Sequence, residues 1–253
     1  MAAKSQVLYL DLLEKSLLND IYGESLLETR MAALWQRVRH PYLTRRGSLS
    51  WPSAAHTMIG DKRLRNVRDL VIQTLRENIP GDYIETGVWR GGATIMIKGV
   101  LAAFGVEDRR VFCADTFEGL PRPNARDYPA DKRDRLFAFS ELAIPESTVR
   151  DNFAVYGLLD ERVIFLKGLF KDTLPRLTDE RFAVIRLDGD MYESTMDALA
   201  NLYDRLNAGG FVIIDDYGAL KNCKKAVHDF LDQRNLKPDI NPIDASGVWW
   251  RKS

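Results

Sequence analysis

Apolar positions in this chain gather into short solid runs separated by longer amphipathic stretches. Five runs read as strands, at residues 82–86, 110–114, 163–167, 183–188 and 211–215. Between and around them the apolar spacing suits helices over 92–104, 146–156, 193–206 and 219–234, with a stop signal at Gly157. A further helix fits 61–77, broken by Pro80. Strand–helix alternation of this kind predicts an α/β sheet. The tail, 240–250, is punctuated by Asn241-Pro242 and Ser246-Gly247 and suits a terminal hairpin antiparallel to the rest. At the other end, Leu10, Leu13, Leu17 and Ile21 form one stripe of an amphipathic helix. That stripe invites a homodimer or homotetramer. Residues 1–60 are therefore expected to form a helical extension serving oligomerisation or acting as a lid, and residues 61–253 the main domain.

Two of the strand runs end in acid. Ala183-Val184-Ile185-Arg186-Leu187 leads into Asp188-Gly189-Asp190, and Phe211-Val212-Ile213-Ile214 into Asp215-Asp216. The 27 residues from Asp188 to Asp215 span about one strand–helix–strand unit. In a parallel open sheet the carboxyl ends of neighbouring strands share one edge, where ligands bind. Asp188, Asp215 and Asp216 would meet there, and three carboxylates that close repel unless a cation sits between them. All-oxygen ligation suits Mg²⁺, Mn²⁺ or Ca²⁺ rather than zinc. A single Asp in such a place is commonly a helix N-cap; the double cluster points to a shared metal.

The first strand runs into Glu85-Thr86-Gly87-Val88-Trp89-Arg90-Gly91-Gly92. Glycines there permit a sharp turn and a close approach of backbone to ligand. The spacing is not G-x-G-x-x-G, which counts against a nicotinamide-dependent reductase, and no P-loop Lys-Ser/Thr follows. Glu85 would repel a phosphate and suits a cationic or zwitterionic ligand. Asp115, in Ala114-Asp115-Thr116-Phe117 at the end of the second strand, is placed to accept hydrogen bonds from ribose hydroxyls. S-adenosylmethionine fits both acids, since it carries an ammonium, a sulfonium and a ribose but no phosphate.

Lys+Arg and Asp+Glu are both 36, so no electrostatic grip on nucleic acid or an anionic membrane is expected. A basic loop at Arg37, Arg39, Arg45 and Arg46 reads as solvated surface. No leader or membrane span is predicted, and Cys113 and Cys223 read as buried thiols of a cytoplasmic protein. Residues 118–145, rich in proline and charge, leave the end of the second strand on the acidic edge. A lid and an inert insertion are both open readings.

Several blocks in order resemble the macrocin O-methyltransferase family, metal-dependent enzymes that methylate sugar hydroxyls on antibiotics. They include Ala55-His56-Thr57-Met58-Ile59-Gly60, the residues quoted at 85–92, Phe170-Lys171-Asp172-Thr173-Leu174-Pro175, Leu187-Asp188-Gly189-Asp190, Ile214-Asp215-Asp216-Tyr217 and Gly247-Val248-Trp249-Trp250-Arg251. The resemblance implies a Rossmann-like class I methyltransferase fold, with a seven-stranded, mostly parallel sheet and an antiparallel last pair. It implies S-adenosylmethionine as donor, contacted by Thr57, Met58 and the loop at Gly168-Leu169-Phe170 as well as by Glu85, Thr86, Gly87, Val88, Asp115, Thr116 and Asp188. It also implies Mg²⁺ at Asp188, Asp215 and Asp216. Catechol O-methyltransferases share this layout with Asn in place of Asp216, so a non-sugar diol or catechol acceptor stays in view. The chain departs most from the family at 24–50 and 120–145, where the acceptor would lie. Asp188 is the expected base for the acceptor hydroxyl, and His56 its rival. The acceptor is expected to be a glycoside bearing neighbouring hydroxyls, a deoxysugar on a glycosylated natural product.

Overall fold

A computed structural model describes residues 3–23, 52 and 54–253. The basic stretch at 37–46 lies outside the described residues, as does the divergent stretch 24–50. The seven strands are β1 (Asp82–Thr86), β2 (Val111–Asp115), β3 (Val163–Lys167), β4 (Phe182–Leu187), β5 (Leu206–Ile214), β6 (Asn241–Pro242) and β7 (Val248–Arg251). They form one sheet in the order β3-β2-β1-β4-β5-β7-β6. The first five are mutually parallel, while β7 runs antiparallel to β5 and to β6. Chain order reverses between β1 and β4, which puts a crevice at their carboxyl ends.

Helices cover both faces. On one lie α1 (Lys4–Leu17), α2 (Gly60–Arg76), α3 (Gly92–Ala103) and α4 (Glu146–Val155), packed on Tyr83, Val111, Cys113, Val184, Phe211 and Ile213. The short α5 (Phe170–Thr173) precedes α6 (Tyr192–Leu202) and α7 (Lys221–Gln233). The last two pack on Ile84, Phe112, Ile185, Leu187, Val212 and Ile214. Side chains alternate between faces along a strand. The odd positions of β1, β2 and β5 and, from Val184 onward, the even positions of β4 therefore share the α2–α3 face. Extending that alternation carries Glu85, Asp115, Arg186, Asp188 and Asp215 to the same side.

The leucine stripe is used inside the chain. Leu10, Leu13 and Leu17 are buried, and Leu13 fills the space left by Gly99 of α3. Glu14, 2% exposed, is held by Arg65 Nε at 2.6 Å and Arg68 Nη1 at 2.7 Å from α2. Ile21 is exposed, and so are Leu8 and Leu12 on the opposite side of α1. Leu10, Leu13 and Leu17 thus offer no free surface for self-association. Cys113 and Cys223 are buried and unpaired, and Trp250 is fully buried. No helix among the described residues is long and apolar enough to cross a membrane.

Truncating a fully buried leucine loses transfer free energy and leaves a cavity. Leu13→Ala is expected to lower stability by about 2–5 kcal/mol in urea unfolding. A loss below about 1 kcal/mol would show that α1 is not part of the cooperative core.

Candidate active site

The glycines after β1 are fixed first by neighbouring backbone. Gly87 has φ +87°, and a Cβ there would stand 1.8 Å from the Asp188 carbonyl oxygen. The Asp188 N–H donates to Thr86 O at 2.8 Å, so the β1 and β4 loops are in direct contact. Gly92 opens α3 and donates its N–H to His56 O at 3.0 Å; a Cβ there would meet that oxygen at 2.5 Å. Segment 54–59 is thereby laid across the glycine turn.

Asp115 braces the same turn. Its Oδ2 accepts Val88 N–H at 2.8 Å and its Oδ1 accepts Phe117 N–H at 2.8 Å. Burial raises its pKa, and the N–H donors of Phe117, Val88 and Trp89 pull it back. Asp115 can still face a ribose, but its carboxylate is already a structural partner of the loop that would hold the donor.

Beneath the crevice lies a buried ion cluster. Arg186 sits on β4 directly across from Glu85 in the β1 register. Its Nη1 donates to Glu85 Oε1 and, at 2.8 Å, to Asp188 Oδ2, while Nη2 donates to Asp215 Oδ1. The side chains of Arg186, Glu85 and Asp215 are no more than 4% exposed. Arg63 of α2 donates to the other oxygen of Asp215 and lies 3.1 Å from Asp244. Burial pushes Glu85 up to about 7, with Arg186 opposing. Burial and the Asp188 charge push Asp215 up to about 6, again opposed by Arg186. For Arg186 itself, burial works to lower the pKa, but Asp215, Asp188 and Glu85 raise it well above the usual range.

Above this cluster, Asp188, Asp215 and Asp216 each offer a carboxylate oxygen, all within 4.8 Å of one another. Burial, then Asp190 and Asp188, raise Asp216 well above an ordinary carboxylate. Asp216 Oδ2 is buried without a hydrogen-bond partner. An orphaned oxygen in a crowd of acids is the environment a hard divalent cation satisfies, and the all-oxygen donor set fits one.

A cavity of about 500 Å³ opens over these groups. His56, Thr57, Met58, Glu85, Gly87 and Val88 line it on the β1 side, and Asp115, Thr116 and Phe170 continue the wall. Asp188, Asp215 and Asp216 form its acidic edge. Two expected donor contacts, Thr86 and Gly168, do not line it. Thr86 is fully buried, and Gly168 donates its N–H to Asp115 O at 2.9 Å. His56 Nδ1 is 2.9 Å from the Tyr156 hydroxyl, and burial followed by the Arg90 charge lowers its pKa. Residues 118–145 supply the facing wall through Leu120, Pro121, Arg122, Asn124, Leu136 and Leu142. Trp89 Nε1 donates to Glu141 O at 2.9 Å and ties that segment to the glycine turn.

The roles of Arg63 and Arg186 escaped the sequence reading. Arg186 carried a usable signal, because a charge within an apolar strand run must find a partner if buried. Arg63 carried none, being one of many charges on an amphipathic helix.

A mostly parallel seven-stranded sheet with an antiparallel last pair, and a cavity at its switch point, define a class I methyltransferase fold. The chain belongs to the macrocin O-methyltransferase family: the profile described as Macrocin-O-methyltransferase (TylF) matches residues 6–252. Over 249 residues it is 46% identical to the mycinamicin III 3''-O-methyltransferase of Micromonospora griseorubida, covering 97% of this chain and 96% of that one. Over 252 residues it is 48% identical to the 8-demethyl-8-(2,3-dimethoxy-alpha-L-rhamnosyl)-tetracenomycin-C 4'-O-methyltransferase of Streptomyces olivaceus, covering 99% and 95%. The solved structure of the O-methyltransferase NovP superposes with a TM-score of 0.86 at 41% identity, over 98% of this chain and 99% of that one. The protein is an S-adenosylmethionine-dependent O-methyltransferase.

Removing one partner of a buried ion pair leaves an uncompensated charge. Arg186→Met is expected to lower stability by about 3–5 kcal/mol in metal-free urea unfolding, with partial recovery when Glu85→Gln is added. A single variant within about 1 kcal/mol of wild type would mean that the cluster holds its acids without Arg186.

Proposed function

We propose that this enzyme transfers the methyl group of S-adenosylmethionine to a sugar hydroxyl, on a deoxysugar of a glycosylated natural product, with a divalent cation at Asp188, Asp215 and Asp216. The observation carrying the metal assignment is the convergence of those three carboxylates around the orphaned Asp216 oxygen. The sugar assignment draws on the relatives, one of which is named for a rhamnosyl-tetracenomycin acceptor. Mg²⁺ is the favoured ion because it binds through a few carboxylates and leaves positions for water or substrate. A cation bound there lowers the pKa of a nearby hydroxyl and helps to orient it.

The rest of the chemistry belongs to the chain. The donor occupies the side built from segment 56–59, the glycine turn and Asp115. The acceptor enters against residues 120–142. Its hydroxyl oxygen forms a bond to the donor methyl as the methyl–sulfur bond breaks, leaving S-adenosylhomocysteine, and its proton passes to Asp188. Asp188 is preferred to His56 as proton acceptor. It stands at the acidic edge, whereas His56 is engaged by Tyr156 and made less basic by burial. Holding the reacting atoms in line, away from water, supplies much of the acceleration.

EDTA is expected to abolish methyl transfer from labelled donor to a panel of glycosides, and Mg²⁺ to restore it. Full turnover in chelated buffer would return Asp188, Asp215 and Asp216 to capping and packing roles.

Asp188→Asn keeps the size of the side chain but removes its charge and proton-accepting ability. The rate should fall about 100-fold or more. Calorimetry should find S-adenosylhomocysteine affinity within about threefold of wild type, since that change is near 0.65 kcal/mol. Wild-type turnover in this variant at saturating Mg²⁺ would move the base to His56 or water.

A further inference from the structure

One fully buried carboxylate stands apart from the ion cluster. Asp131 ends a short helical turn, Pro129–Asp131, within the cavity-facing insertion, and it is 0% exposed. Its Oδ1 accepts Tyr192 N–H at 2.8 Å and Asn222 Nδ2 at 2.9 Å, and its Oδ2 accepts Glu193 N–H at 2.9 Å. Tyr192 and Glu193 are the first two residues of α6, whose own N-cap residue, Met191, provides no side-chain bond. The helix is therefore capped by an acid 61 residues earlier in the chain.

The placement of these donors is what matters. Helix α6 begins directly after Asp188-Gly189-Asp190-Met191, and α7, which carries Asn222, begins shortly after Asp215-Asp216. The carboxylate thus grips the starts of both helices that follow the acid-bearing loops. On its other side, the Asp134 N–H donates to Asp131 O at 2.9 Å, and Asp134 Oδ1 accepts the N–H of Leu136, a wall residue of the cavity, at 2.8 Å. An ionised acceptor at a helix N-terminus makes strong, charge-assisted bonds favoured by the helix dipole.

We propose that Asp131 is a positioning residue: it latches the acceptor-side insertion to the two loops bearing Asp188, Asp215 and Asp216, and so sets their spacing for the cation and the acceptor together. This rests on the metal reading given above. Asp131 does not line the cavity, and acts only through the chain it holds.

The test uses the full chain with Asp131→Asn, which keeps the shape but loses the charge. Asn222→Ala serves as a milder variant that removes one of the three bonds. Three quantities are measured: Mn²⁺ affinity by electron paramagnetic resonance, S-adenosylhomocysteine affinity by calorimetry, and the rate of tryptic cleavage after Arg126, Lys132, Arg133 and Arg135. The expected result for Asp131→Asn is an Mn²⁺ dissociation constant raised about tenfold or more, near 1.4 kcal/mol, and faster cleavage of the insertion. Binding of S-adenosylhomocysteine should stay within about twofold, near 0.4 kcal/mol. Asn222→Ala should move Mn²⁺ affinity and cleavage in the same direction by less, and leave S-adenosylhomocysteine affinity alone. Unchanged Mn²⁺ affinity and cleavage would overturn the latch. So would a parallel fall in both affinities, which would mark Asp131 as a general stabiliser. Wild-type protein that binds no Mn²⁺ would instead overturn the metal reading. The latch is then decided by cleavage against S-adenosylhomocysteine affinity: faster cleavage with intact binding supports it, and equal cleavage overturns it.

Discussion

The site depends on a guanidinium placed where an apolar residue would otherwise stand. Glu85, Asp188 and Asp215 reach the same sheet face from three adjacent strands, and Arg186 bonds to all three. Without it, strand pairing would bring together three acids with water excluded, and mutual repulsion would oppose the register that makes the sheet. With it, the register and the charge pattern support one another. Arg63 adds a second guanidinium from α2 and ties Asp215 to the helix covering that face. The acids still outnumber these two cations.

The rest of the cavity divides the work between two kinds of structure. The side proposed to take the donor is built from tight turns in which backbone meets backbone, at Gly87 against Asp188 and at Gly92 against His56. Such contacts leave little freedom for change. The facing wall comes from an insertion of short helical turns, held at a few points such as Trp89 to Glu141. A wall of that kind can change its side chains while its anchors stay, which suits a family whose members differ in acceptor.

Much of the framework could be read from the sequence because strands and helices here carry unambiguous periods. The strand expected at 82–86 is Asp82–Thr86, and the helix expected at 61–77 is Gly60–Arg76. The strand expected at 211–215 begins five residues earlier, at Leu206. Asn207, Ala208 and Gly209 show no strand period, yet the strand runs through them to where the chain end pairs with it: Gly209 N–H donates to Lys252 O at 2.8 Å, and Lys252 N–H to Gly210 O at 2.8 Å. Tyr203–Arg205 likewise leaves the helical spacing expected to 206 and forms a separate turn. At the site, the three aspartates were legible as strand-end acids. The partner of Glu85 was not, since register decides which side chain lies opposite and a single sequence does not state register. The leucine stripe shows the same limit: periodicity reveals an apolar face but not whether the covering comes from the same chain.

The pairing of Glu85 with Arg186 spans 101 residues, and its consequence falls during synthesis. Translation proceeds at about 5–20 residues per second, so β1 waits for β4 for roughly 5–20 seconds after it is made. Throughout that interval one edge of β1 is open and Glu85 has no guanidinium beside it. The nascent chain up to Lys167 can join α1, α2, α3 and α4 to β1, β2 and β3, but the sheet remains part built, with its future centre exposed as an edge. A solvated Glu85 then acts as a gatekeeper: its charge discourages pairing of that edge with another nascent chain until the strand that neutralises it arrives.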